Sequence, residues 1–150
     1  MDAVKFISDC LAEVHLRLMA ACDNLTNDER PWRPAPTANN IGSIVWHLAR
    51  NEDARITNTG KLDEDIWATE LWYEVFGQPI TAPDSDRPDP TVAGSLRHLV
   101  THKNNHHGQI DCLRGLQDEA WDLPRGTGIV LLRPRYPLIN PTGSDTRPTE

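Results

Sequence analysis

The chain has 150 residues, with 15 basic and 22 acidic side chains for a net charge of −7. That length suits one ordinary domain with a modest core. The negative balance, with no block of lysines or arginines, argues against a nucleic-acid or anionic-membrane partner. No apolar run approaches the roughly 20 residues needed to span a bilayer. The opening Met1-Asp2-Ala3-Val4-Lys5 is interrupted by charge at once and does not read as a signal peptide. Cys10, Cys22 and Cys112 are odd in number. Cys10 and Cys22 fall on one predicted helix about 18 Å apart by rise, too far to bridge. They read as reduced thiols, which predicts a cytoplasmic protein.

The first predicted helix runs from about residue 2 to 25. Val4, Ile7, Leu11, Val14, Leu18, Ala21 and Leu25 follow 3-4-3-4 spacing, a seam for packing on other helices. Pro31 and Pro34 enforce a break after it. A second helix starts near Asn39 or Asn40, either of which can cap it, and stops at Asn58-Thr59-Gly60. Residues 62–76 read as one short amphipathic helix ended by Gly77, and 77–90 as a loop with four prolines. Asp89-Pro90 then reads as the N-cap and first residue of the last long helix. Its stripe is Val92, Leu96, Leu99, Val100, Ile110 and Leu113, fading by about Glu119. The division is a helical body over 1–120 and a proline-rich tail over 121–150, in which 128–132 reads as extended chain against the body.

The chemistry is concentrated in histidines. His98, His102, His106 and His107 lie on the last helix, and His102 and His106 are four residues apart, on one face about one turn from each other. His106 falls inside the apolar stripe, with His102 beside it and His98 and Gln109 near its edge. His47 sits in the second helix, flanked on its own side by Ile44 and Leu48. Three neutral imidazoles from two packed helices make a three-nitrogen metal site with an open position, the form catalytic metals use. The alternative makes His106 a hydrogen-bonded core histidine and leaves the others solvated. Asn51, one turn after His47, reads as its orienting partner or as a solvated residue. Glu52 and Asp53 read as a general base or as part of a surface cluster with Arg50 and Arg55. The five tryptophans read as core or interface, and His15 as surface. Gly108 in mid-helix suggests close approach by another helix or a ligand. The sequence has no phosphate loop, paired-cysteine zinc motif or nucleophile elbow.

Three stretches together resemble the DinB-like superfamily: NNIGSIVWHLARNEDARI (39–56), LWYEVFG (71–77) and TVAGSLRHLVTHKNNHHGQIDCLRGL (91–116), the last with His-x-x-x-His followed by Gly-Gln. WDLPRGTGIVLLRPRYP (121–137) is similar to the tail of one branch. The resemblance implies an all-α, up-down helical bundle, often dimeric, with zinc, nickel or another divalent ion on His47, His102 and His106. Asn51 and Gln109 would support those ligands. It also implies a low-molecular-weight thiol, such as mycothiol or bacillithiol, as co-substrate in S-transfer or isomerisation. Relatives usually carry a further long helix before the closing one, and residues 77–90 are too short and proline-rich for it. The chain is therefore expected to have three long helices plus a short one, with a second subunit or the 121–137 tail covering the open face. No side chain reads as a catalytic nucleophile, which fits a nucleophile brought by a bound thiol. The competing reading is a non-catalytic binding or stress-response module that dimerises; a metal-storage protein is a third.

Overall fold

The computed structural model describes residues 2–80 and 91–121, and among these the protein is all-α, with no strand. Helix α1 spans Ala3–Cys22, α2 Ile41–Gly60, α3 Ile66–Thr69, α4 Trp72–Phe76 and α5 Val92–Gln117. None of these helices is long and apolar enough to cross a membrane.

Each long helix starts where a side chain supplies an acceptor for its unpaired N–H groups. Asp2 accepts from the Lys5 N–H at 2.7 Å and begins α1. Asn40 and Ser43 cap α2 reciprocally: Asn40 Oδ1 accepts from Ser43 N–H at 2.7 Å, and Asn40 N–H donates to Ser43 Oγ at 3.2 Å. The start of α5 lies two residues later than the Asp89-Pro90 pattern suggests. Thr91 is the cap, its Oγ1 accepting from Gly94 N–H at 3.1 Å. Asp89 and Pro90, the 81–90 part of the proline-rich loop and the tail after Trp121 lie outside the described residues.

The single helix expected over 62–76 is two short ones. Asp65 caps α3, accepting from Ala68 N–H at 3.0 Å. Asp53, on α2, accepts from both Ile66 and Trp67 N–H at 3.0 and 2.9 Å. That pins the start of α3 against α2. Leu71 then adopts the left-handed backbone region (φ 56°), which ends regular helix for an L-residue before α4 begins. Of the expected cluster of Glu52 and Asp53 with Arg50 and Arg55, the structure shows Asp53 3.7 Å from Arg50, while Glu52 pairs with Lys103 instead. Asp53 holds the α3 backbone, and Arg50 bridges to Asp65 at 2.7 Å.

Both α1 and α2 pack on α5. Leu18 and Ala21 of α1, Ile41, Ile44 and Leu48 of α2, and Ile110 and Leu113 of α5 form one core cluster. The C-terminal half of the predicted α1 seam is buried, but Val4 at its start is 76% exposed, and Leu16, off the seam, is fully buried. Helix α2 runs antiparallel to α5: His47 meets His102, and Thr59 Oγ1 meets Ser95 Oγ at 2.7 Å. Helix α1 runs parallel to α5: His15 lies near Lys103, and Glu29, beyond the end of α1, meets Arg114 and Gln117. Trp121, the first residue of the expected tail, packs against the body. It packs on the core, donates from Nε1 to Asp111 at 2.7 Å and carries the Arg114 guanidinium 4.4 Å over its ring.

Lys103 is 4% exposed, and its Nζ donates to Glu52 Oε1 at 2.6 Å. Glu52 keeps about a third of its side chain in water. Removing one partner of such a pair strands the other, and the cost falls on whichever charge is more deeply buried. Glu52→Ala should lower unfolding free energy by about 3 kcal/mol. Lys103→Met should cost less, because the stranded Glu52 is partly solvated. Urea denaturation of the two variants checks the order.

Candidate metal centre

Three imidazoles from two helices meet at the α2–α5 seam. Their ligand nitrogens all lie within 4.8 Å of one another. His102 Nε2 is 3.1 Å from His47 Nε2 and 3.1 Å from His106 Nε2. All three sit on helix backbone: His102 and His106 one turn apart on α5, His47 across the seam beside the buried Ile44 and Leu48. Local helix geometry supplies the first spacing, and antiparallel packing supplies the second.

Hydrogen bonding sets the protonation. Gln109 Oε1 lies 2.7 Å from His106 Nδ1 and only accepts, so Nδ1 carries the hydrogen and Nε2 presents a bare lone pair. His102 Nε2 then faces two ring nitrogens with at most one hydrogen of its own. In any arrangement of neutral tautomers one 3.1 Å contact lacks a well-directed hydrogen. A cation among the three nitrogens removes that conflict. Tetrahedral zinc with Zn–N bonds of about 2.05 Å places its nitrogens about 3.3 Å apart, close to the two 3.1 Å separations about His102.

Two of the rings, His102 and His47, are also held toward the neutral form. His102 is pushed down to about 4, first by burial, then by His106, His98, His47 and the Arg55 charge. His47 is lowered by desolvation and by His106. Neutral imidazole is the form that binds metal. His47 is exposed while His102 and His106 are half-buried, so the cluster opens to solvent on the α2 side.

The supporting residues only partly match the sequence reading. Gln109 lies against the ligand set, on His106. Asn51 does not orient His47: its Oδ1 is 3.2 Å from His98 Nε2. His98 in turn stacks on His102, with ring centroids 4.8 Å apart and planes 21° from parallel. Sequence reasoning left His98 at the edge of the stripe, although its i, i+4 spacing to His102 was the available signal. His107 turns away toward α1, beside Arg17 and Asp111, and burial lowers its pKa. His15 is exposed as expected. Gly108 takes part in no close approach, since a Cβ there would meet nothing within 4 Å. The tryptophans stay clear of the histidines: Trp67 is buried edge-on to Trp46, and Trp32 and Trp72 are exposed.

No protein-family model, no curated protein and no solved structure matches the chain. The resemblance to the DinB-like superfamily therefore rests on its motifs alone.

Because the pKa of His102 in the folded state lies below its ordinary 6.5, the unfolded chain takes up a proton there before the folded one does. The contribution of His102 to folding stability is full above about pH 6.5, falls as pH drops and is lost below about 4. His47 and His107 shift in the same direction. In chelator-treated protein, the thermal midpoint should decline over this window, and His102→Phe should flatten the decline. An equally steep decline in that variant would remove His102 as its source.

Proposed function

We propose that His47, His102 and His106 bind one divalent ion, zinc or nickel. On this reading the protein is a metal-dependent enzyme that acts on a small molecule with a low-molecular-weight thiol, in S-transfer or isomerisation. The observation that carries the reading is the convergence of three ring nitrogens from two helices, at separations suited to one ion. The donor set is three neutral imidazoles with no carboxylate or thiolate among them, which leaves a coordination position for a small ligand. The thiol chemistry is supported by the motif resemblance alone. When bound, such an ion would supply a Lewis acid that lowers the pKa of a coordinated thiol.

The chain's own part is orientation. Gln109 accepts the Nδ1 hydrogen of His106 and keeps Nε2 free for ligation. His98, held by Asn51, stacks on His102 and limits its rotation. The exposed edge of His47 leaves solvent access to the open position. No side chain is assigned as nucleophile.

The second reading is a non-catalytic binding module. It draws support from the apolar groove beside α2, a surface suited to binding rather than chemistry.

Elemental analysis of protein purified without a histidine tag tests the metal. One equivalent of a divalent ion is expected, and His106→Ala should abolish it. Unchanged occupancy in that variant overturns the assignment. Gln109→Ala should weaken metal affinity by about tenfold while leaving the fold intact. Turnover with a panel of small thiols and added metal would support the enzyme, whereas a loaded but inert protein would favour the binding module.

A further inference from the structure

On the side of α2 turned away from His47 runs an apolar groove of about 860 Å³. Cys22 and Leu25 form one end. Val45 and Ile56 of α2 and Trp72 and Phe76 of α4 line its length. Ile56, Trp72 and Phe76 are 49%, 41% and 51% exposed. Large side chains clustered and exposed in this way mark a surface that binds something. We propose that residues 124–139 of the same chain occupy this groove.

Three observations select this occupant. The first is position. Trp121 packs on the same core cluster as Cys22, Leu25 and Val45, so the chain leaves the described body beside that end of the groove. Only two residues separate Trp121 from the segment. The second is composition. Ile129-Val130-Leu131-Leu132 is an uncharged apolar run, followed by Tyr136, Leu138 and Ile139. Pro134 and Pro137 disfavour continued helix, and an extended chain of this length reaches about 50 Å. Helix α2, with 20 residues, is about 30 Å long. The third is charge. Segment 124–139 carries Arg125, Arg133 and Arg135 and no acidic residue, in a chain of net charge −7. The groove lining carries Glu52, Asp53 and Glu64 against Arg30 and Arg50, three carboxylates to two guanidinium groups. A tethered segment also holds a high effective concentration at the groove, an advantage a second copy lacks. This proposal does not depend on the metal.

Cys22 is a built-in reporter, since it lines the groove, and the exposed Cys112 on α5 is an internal control. The test measures N-ethylmaleimide labelling of each cysteine by mass spectrometry in the full chain. Wild type is compared with Leu131→Asp/Leu132→Asp, which places a charge on the inward side whichever way an extended segment faces. Cys22 should label several-fold faster in the double variant, Cys112 should not change, and neither rate should depend on protein concentration. Thr146→Asp, beyond the segment, should match wild type. Equal Cys22 rates in wild type and the double variant would overturn the proposal. Protection that disappears on dilution would also overturn it, by assigning the groove to a second copy. Helical circular dichroism of each variant, expected to match wild type, separates release of the segment from loss of the fold, and a double variant that unfolds would be replaced by Leu131→Ser/Leu132→Ser with the same two outcomes.

Discussion

Helix α5 is the surface on which both other long helices rest, and its antiparallel seam with α2 fixes the geometry of everything near the histidines. Apolar contacts from Ile41, Ile44 and Leu48 set how close the two helices come. They do not by themselves set how far one has slid along the other, because a slip of one turn, about 5.4 Å, still leaves apolar groups opposed. Polar pairs remove that freedom. Thr59 with Ser95, Asn51 with His98, and His47 with His102 form successive rungs along the seam. Glu52 with Lys103 adds a charged rung toward α1. A one-turn slip would break them all together and leave a buried ammonium without its carboxylate.

The same seam explains what was legible in the sequence. Periodicity within one helix gave α1, α2 and α5 and put His102 and His106 on one face. The apolar neighbours of His47 marked it as facing the seam. Pairings across the seam were harder, because they depend on register, which no local pattern encodes. Local spacing pairs Asn51 with its own helix neighbour His47, whereas its partner His98 belongs to α5. Glu52 was grouped with nearby arginines, whereas its partner is Lys103, 51 residues away. Lysine is seldom buried, so nothing in the sequence marks Lys103 as an interior residue.

The 62–76 segment failed for a related reason. Its apolar spacing fits a helix, and nothing local demands a break. The break comes from outside: Asp53 of α2 takes the first N–H groups of α3, and the chain then turns through a left-handed Leu71 to bring Trp72 and Phe76 back toward Trp67. Arg50 completes this corner, 2.7 Å from Asp65 and 5.1 Å from the centre of the Trp67 ring. One turn of α2 thus carries the α3–α4 corner on one side while the histidine seam occupies the other.

His47 and His102 are separated by 55 positions along the chain. An ion held between them would fasten two distant points of the polypeptide, as a disulfide does, but without a covalent bond and without an oxidant. Cross-linking a loop of that size removes on the order of 4 kcal/mol of chain entropy from the unfolded ensemble. With an ion bound, the cluster would act as a reversible staple, its strength set by how much free ion the surroundings provide.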